Sequence, residues 1–208
     1  MYLGLDYGTS EIKALLIDAA GNIAHTHGVS LSIQRPQPHW SEQSAAEWWQ
    51  ATNDLMAAMR EKSGHHWQQI KAIGLSGQMH GAVLLDAADQ VLRPVILWND
   101  TRSAAECAEL DTAVPDLHAI TRNLAMPGFT APKLLWVAKH EPEIFAQTAA
   151  VLLPKDYIRL LMTGKKVSEM SDAAGTLWLD VAKRDWSDEV LAACDVSCQH
   201  MPELIEGS

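Results

Sequence analysis

The sequence lacks several features that would place it in a specialised class of protein. It has no run of lysine and arginine longer than two residues, and its formal net charge is −10 at pH 7. Neither nucleic acid nor an anionic membrane is therefore an expected partner. Its longest apolar stretches fall far short of the roughly 20 residues that a membrane-spanning helix needs. The residues from Met1 to Asp6 have neither the basic nor the apolar region of a signal peptide.

Cysteine is also scarce, with only Cys107, Cys194 and Cys198 in the chain. An odd number of cysteines without framework spacing predicts reduced thiols and a cytoplasmic location. Cys194 and Cys198 have no second pair of ligands nearby, so we expect no structural metal there. What is present is 48 % hydrophobic and 20 % charged residues in a chain of 208, which is typical of a globular domain.

The apolar pattern predicts an α/β fold with a mixed sheet. Three short apolar segments open the chain, and brief turns separate them, which predicts an antiparallel meander of three strands. These segments are 2–6, 12–18 and 23–30. Helices and strands then alternate, which favours a single α/β domain. The helices are predicted after Ser44 and at 101–110, 132–139, 155–162, 189–194 and 201–205, and the later strands at 70–76, 82–85, 95–97 and 150–153.

The turn from Asp6 to Ser10 is the strongest local indication of chemistry. A carboxylate at the end of a strand can hold Mg²⁺, and a glycine lets the backbone approach a ligand closely. The backbone amides and hydroxyls of such a turn suit phosphate oxygens. Lys13 follows on the next strand, with a direction that the sequence alone leaves open. An ordinary hairpin turn would have the same residue types.

Two further polar segments follow predicted strands. In Gly77–Gly81, Gln78 and His80 can bond sugar hydroxyls and Met79 can pack on an apolar edge; the alternative is a loop whose histidine has no role. Trp98–Arg102 can grip a polyol through Asn99 and Asp100. One of these two residues is instead favoured as a helix N-cap, with Arg102 paired to Glu106.

Taken in order, these segments resemble the FGGY carbohydrate kinases and, within that family, the xylulokinase branch. The resemblance covers the whole chain, and the ordered series carries it more than any single motif. The segments are Leu3–Ser10, Trp40–Gln43 with Trp48 and Trp49, Ser76–Gly81, Trp98–Arg102, Gly128–His140, Leu153–Ile158 with Thr163 and Gly164, and Ser171–Thr176.

The resemblance implies a ribonuclease-H-like fold of the actin, heat-shock-70 and hexokinase superfamily, with helices on both faces of a mixed sheet. It implies that the Asp6 turn faces ATP and Mg²⁺, and that Met79 and His80 contact the sugar. The implied reaction is ATP-dependent phosphorylation of D-xylulose to D-xylulose 5-phosphate, a step of xylose metabolism. The candidate phosphate and Mg²⁺ site comprises Asp6 as metal ligand with Gly8, Thr9, Ser10 and Lys13, and the candidate sugar site comprises Gln78, Met79, His80, Asn99 and Asp100.

The chain also departs from the family, because members are more than twice as long and place their catalytic aspartate beyond the point that corresponds to Ser208. No catalytic residue is therefore expected within 1–208, which we interpret as an N-terminal lobe without its C-terminal lobe. Such a lobe should be inactive alone and should self-associate, as a homodimer, through uncovered apolar surface. Two alternatives stay open: a catalytically incomplete sugar-binding or docking domain, and a kinase for ribulose, gluconate or glycerol.

Overall fold

The computed structural model describes residues 1–207, and Ser208 lies outside the described residues. Its strands are β1 (Tyr2–Tyr7), β2 (Glu11–Ile17), β3 (Ile23–Ser30), β4 (Glu42–Gln43), β5 (Ala72–Gly77), β6 (Val83–Leu85), β7 (Val95–Ile96), β8 (Ala150–Leu152), β9 (Val167–Glu169), β10 (Leu179–Asp180), β11 (Asp185–Trp186) and β12 (Glu203–Ile205). Its α-helices are α1 (Ala45–Ser63), α2 (Ala104–Ala113), α3 (Leu117–Thr121), α4 (Thr130–His140), α5 (Pro142–Gln147), α6 (Pro154–Thr163), α7 (Met170–Ala174) and α8 (Asp188–Ala192). Short 3₁₀ helices cover Gly64–Gln69 and Cys198–His200.

The described residues form two compact units. Unit 1 comprises Met1–Ile33 and Ser44–Gln78, and unit 2 comprises Gln34–Gln43 and the residues from Met79 onward. Among the helices of residues 1–207, none has the length and apolarity that crossing a bilayer requires.

Unit 1 contains a four-stranded mixed sheet with the strand order β3-β2-β1-β5. The pairs β1–β2 and β2–β3 are antiparallel, which confirms the predicted meander, and β5 runs parallel to β1. Side chains alternate across a strand, and alternate residues of β1 and β2 from Leu3 to Leu16 are buried on one face. Helix α1 packs against β2 and β3.

The opposite face of this sheet is an open pocket of about 830 Å³ lined by Gly4, Gly28 and Gly74 among others. Within unit 1, helix α1 covers the face opposite this pocket. The mixed α/β class itself is confirmed.

Helix α1 begins where the sequence predicts. The hydroxyl of Ser44 accepts a hydrogen bond from the backbone amide of Glu47 at 3.4 Å, as an N-cap does. The carboxylate of Glu47 accepts a hydrogen bond from the backbone amide of Ser32 at 3.0 Å. Glu47 thus ties the first turn of the helix to the segment that follows β3. Trp48, Leu55 and Met59 are buried on its inner face, as the spacing predicts.

Unit 2 is built from four two-stranded pairs and the remaining helices. β4–β7, β6–β8 and β10–β11 are antiparallel, and β9–β12 is parallel. Residues of β6, β7 and β8 and of helices α2, α3, α4 and α8 share one hydrophobic core, whose larger members include Leu84, Ile96, Leu134, Trp136 and Trp178.

Two element predictions are wrong within unit 2. Residues 203–205 form strand β12, paired with β9, and not a helix. A segment this short, following Pro202, has no period that separates helix from strand. Helix α2 begins at Ala104, later than predicted, because the carboxylate of Asp100 accepts from the backbone amide of Arg102 at 2.9 Å. That bond holds these residues in a turn.

Candidate functional site

The turn between β1 and β2 is held to the end of β5. The hydroxyl of Thr9 donates a hydrogen bond to the side-chain oxygen of Gln78 at 3.1 Å. The backbone amide of Gln78 donates to the backbone carbonyl of Tyr7 at 2.8 Å. A Cβ on Gly8 would lie 3.0 Å from the carbonyl of Glu11, so a side chain there would crowd the turn. Ser10 is exposed. The structure thus groups Gln78 with the predicted phosphate turn.

Asp6 and Lys13 lie side by side on the open face of the sheet. They are cross-strand partners, and such partners project to the same face. Both line the 830 Å³ pocket, together with Ser76 from β5. The register therefore decides the direction of Lys13 that the sequence leaves open.

The charges of this pocket suit a metal-bound phosphate. Lys13 Nζ lies 3.0 Å from Glu11 Oε1, and this hydrogen bond with its carboxylate charge raises the pKa of Lys13. Within residues 1–207, no group of three or more histidine, cysteine or acidic residues is arranged to hold a metal ion. Mg²⁺ needs no such cage, since proteins commonly hold it through one or two carboxylates, with waters and substrate phosphates. Asp6 fits that role.

In unit 2, the loop after Gln78 presents His80 in a constrained backbone conformation. His80 has a φ of 65°, in the left-handed region that few residues other than glycine adopt. Its Nδ1 lies 2.6 Å from the carbonyl oxygen of Gly175, and its ring meets Phe129 edge-on at 4.4 Å. Its own carbonyl accepts hydrogen bonds from Lys133 Nζ at 2.8 Å and from the hydroxyl of Thr130 at 3.2 Å. Met79 beside it is 53 % exposed.

These contacts determine the proton position on the His80 ring. A carbonyl oxygen only accepts, so Nδ1 carries the proton, and in the neutral ring Nε2 is then an acceptor. Burial lowers the pKa of His80; the hydrogen bond to Gly175 opposes this shift, and the charge of Lys133 adds to it. His80 can therefore accept a hydrogen bond from a ligand hydroxyl at neutral pH.

Asp100, a predicted sugar ligand, is fully buried and already bonded. Its carboxylate accepts from the amide of Ser41 at 2.6 Å and from the guanidinium of Arg102 at 2.7 and 2.9 Å. The Arg102 guanidinium stacks 3.6 Å from the ring centre of Trp40 and bonds Glu42 at 2.8 Å. Asp100 and Arg102 thus belong to a buried network with Trp40, Ser41 and Glu42.

The predicted helix cap and ion pair at this segment are wrong. Ser103, and neither Asn99 nor Asp100, occupies the N-cap position of α2. Arg102 pairs with Asp100 and Glu42, and its guanidinium stacks on Trp40.

Asn99 remains accessible to a ligand. It lines a second pocket, of about 550 Å³, together with Arg35–Ser41 and Thr101. Its Oδ1 is buried and has no hydrogen-bond partner among the described residues.

Sequence reasoning missed the residues that hold His80 in place. Lys133 lies among the apolar residues Ala131, Leu134 and Val137 of α4. Because a buried lysine is rare, its position in this apolar segment indicates a specific role. The carbonyl of Gly175 is backbone, and no sequence pattern reveals its partner.

Comparisons with known proteins place the chain among sugar kinases. The family model that matches residues 1–208 describes the N-terminal domain of the FGGY family of carbohydrate kinases. The chain belongs to the FGGY family of carbohydrate kinases. It is 58 % identical over 208 residues to a protein of Escherichia coli (strain K12) named xylulose kinase, covering 100 % of this chain and 43 % of that protein.

Solved structures agree with this assignment. A protein from Brucella ovis named xyloylose kinase superposes with a TM-score of 0.96 and 55 % identity, over 98 % of this chain and 42 % of that one. A xylulose kinase from Rhodospirillum rubrum gives a TM-score of 0.94 and 28 % identity, over 98 % and 42 %. The predicted family and fold class are thus confirmed. The chain spans about two fifths of the length of these relatives.

The His80 geometry predicts how this residue titrates. In a two-bond ¹H–¹⁵N spectrum recorded between about pH 5 and pH 8, His80 should show the neutral Nδ1–H tautomer and a midpoint below the ordinary pKa of 6.5. Because the unfolded chain then binds a proton before the folded one, this residue's contribution to stability is present above about pH 6.5 and is lost as the pH falls. A His80→Gln variant assigns the signal. An Nε2–H tautomer, or a midpoint above 6.5, would contradict the geometry.

Proposed function

We propose that this chain is the N-terminal domain of a kinase that transfers the γ-phosphate of ATP to D-xylulose and yields D-xylulose 5-phosphate. The observation that carries the proposal is the 58 % identity, over the whole chain, to a protein named xylulose kinase. The constrained His80 supplies a hydrogen-bond acceptor for the sugar. The open pocket beside Asp6 supplies charged groups for Mg²⁺ and the phosphates of ATP.

The sugar is proposed to bind to unit 2. His80 Nε2 would accept a hydrogen bond from one hydroxyl, and Asn99, which lines the 550 Å³ pocket, would contact another. Met79 offers an exposed apolar side chain for the carbon edge of the sugar. Asp100 is not proposed to contact the sugar directly, because its carboxylate already accepts hydrogen bonds from Arg102 and Ser41.

The phosphates of ATP are proposed to bind to unit 1. Asp6 would hold Mg²⁺, and Lys13 would offset phosphate charge from the same face. The backbone and hydroxyls of Gly8, Thr9 and Ser10 would contact phosphate oxygens. Gln78, which holds Thr9, acts here by keeping the turn in shape. Phosphoryl transfer depends mainly on positioning and charge stabilisation, and these groups can supply both.

The proton acceptor for the sugar hydroxyl is proposed to lie outside residues 1–208. A general base must reach the proton that it removes. Asp100, the acidic member of the predicted sugar site, is fully buried and bonded to Arg102. A second candidate function is a sugar-binding domain without catalysis, since the groups proposed here to bind the sugar all lie in unit 2 of this chain.

The proposal predicts activity only when the chain is joined to a C-terminal domain. A composite kinase, in which residues 1–208 replace the matching segment of the E. coli xylulose kinase, should release ADP with D-xylulose and Mg-ATP in a coupled assay. Chain 1–208 alone should show no useful turnover. Turnover by the chain alone within about tenfold of the typical enzyme median near 10 s⁻¹ would place the base within this chain. A composite kinase that prefers ribulose, gluconate or glycerol would overturn the choice of substrate.

Asp6→Ala in the composite kinase should lower turnover by at least about two orders of magnitude, because preorganised charge at a transferring phosphate is lost. Asp54→Ala, which removes an exposed carboxylate on α1, is the matched control and should leave turnover near the parent value. Near-normal turnover of the Asp6 variant would remove this residue from the phosphate site.

A further inference from the structure

Helix α4 carries a lysine whose ammonium group is inside the protein. Lys133 is 0 % exposed, a rare location for a lysine. Its Nζ donates to the carbonyl oxygen of His80 at 2.8 Å and to that of Gly128 at 2.7 Å. Its hydrogen-bond acceptors are thus backbone oxygens from two loops.

Thr130 lies three residues earlier on the same helix and acts on the same carbonyl. Its hydroxyl is 3.2 Å from the carbonyl oxygen of His80, and the residue is 0 % exposed. Residues three apart on a helix lie on the same side. Two buried donors on α4 therefore converge on the one carbonyl of a residue in the left-handed region.

This arrangement is not explained by packing alone. Burial lowers the pKa of Lys133 to about 7, with the charge of Asp100 opposing the shift and that of Arg102 adding to it. An unbranched apolar side chain such as methionine would fill a similar space without this desolvation cost. What the amine adds is its hold on the His80 and Gly128 carbonyls.

We propose that Lys133 and Thr130 form a carbonyl clamp that positions His80 for sugar recognition. Both are positioning residues, since they act through the His80 backbone. The clamp fixes the backbone at His80, and the bond to the Gly175 carbonyl fixes its ring. The inference rests on the proposed sugar-binding role of His80.

Kinetics of the composite kinase test the clamp. Lys133→Met and Thr130→Val should each raise KM for D-xylulose, and Lys133→Met should do so by roughly tenfold or more, because small displacements of a positioning group have effects of this order. KM for ATP should stay within about twofold, because the clamp residues and the carbonyls that they bond lie in unit 2 and the phosphate groups are proposed to bind to unit 1. Thr130→Ser, which keeps the hydroxyl, should restore the parent KM. Lys165→Met, at an exposed lysine, should change neither constant.

Spectroscopy of the 208-residue chain separates the clamp from the proposed function. In Lys133→Met and Thr130→Val, the backbone amide signals of Met79, His80 and Gly81 should shift, and in Lys165→Met they should not. If the parent composite kinase ignores xylulose while these signals shift, the proposed function fails and the clamp stands as a device that shapes the loop. Unchanged loop signals in both clamp variants, or equal rises in both KM values, would overturn the clamp.

Discussion

The proposed sugar site depends on the hydrogen bonds that hold the backbone carbonyl of His80. A non-glycine residue in the left-handed region is strained and persists only where its surroundings enforce the conformation. Here Lys133 and Thr130 hold the carbonyl and the Gly175 oxygen holds the ring. These contacts thus keep the imidazole of His80 in one tautomer, in which Nε2 is a hydrogen-bond acceptor.

In unit 1, the strand register determines which side chains face the open pocket. Alternation along β1 and β2 buries Leu5 and Ala14 on one face and leaves Asp6 and Lys13 on the other face. Glycines on that face keep it low, so an open pocket lies beside two opposite charges. A cation and an anion can bind there together, as a metal-bound phosphate requires, and the charged side chains that would bind them lie on regular strands.

The sequence predicts what local pattern controls and misses what distant contacts decide. The meander and the Ser44 cap follow from period and residue type, and both are present. The carboxylate of Asp100 is bonded to the amide of Ser41, 59 residues earlier in the chain, so the sequence alone indicates a ligand where the structure has a buried, paired group. Strand β12 exists because β9 lies beside it, and no local preference contains that information.

The central claim is that His80 recognises the sugar and that the nucleotide is recognised elsewhere. Its most direct test is the pair of Michaelis constants of the His80→Ala composite kinase. Loss of one hydrogen bond to a ligand hydroxyl costs about 0.5–1.5 kcal/mol, so KM for D-xylulose should rise several-fold while KM for ATP barely changes. A rise in KM for ATP with an unchanged KM for D-xylulose would contradict the account.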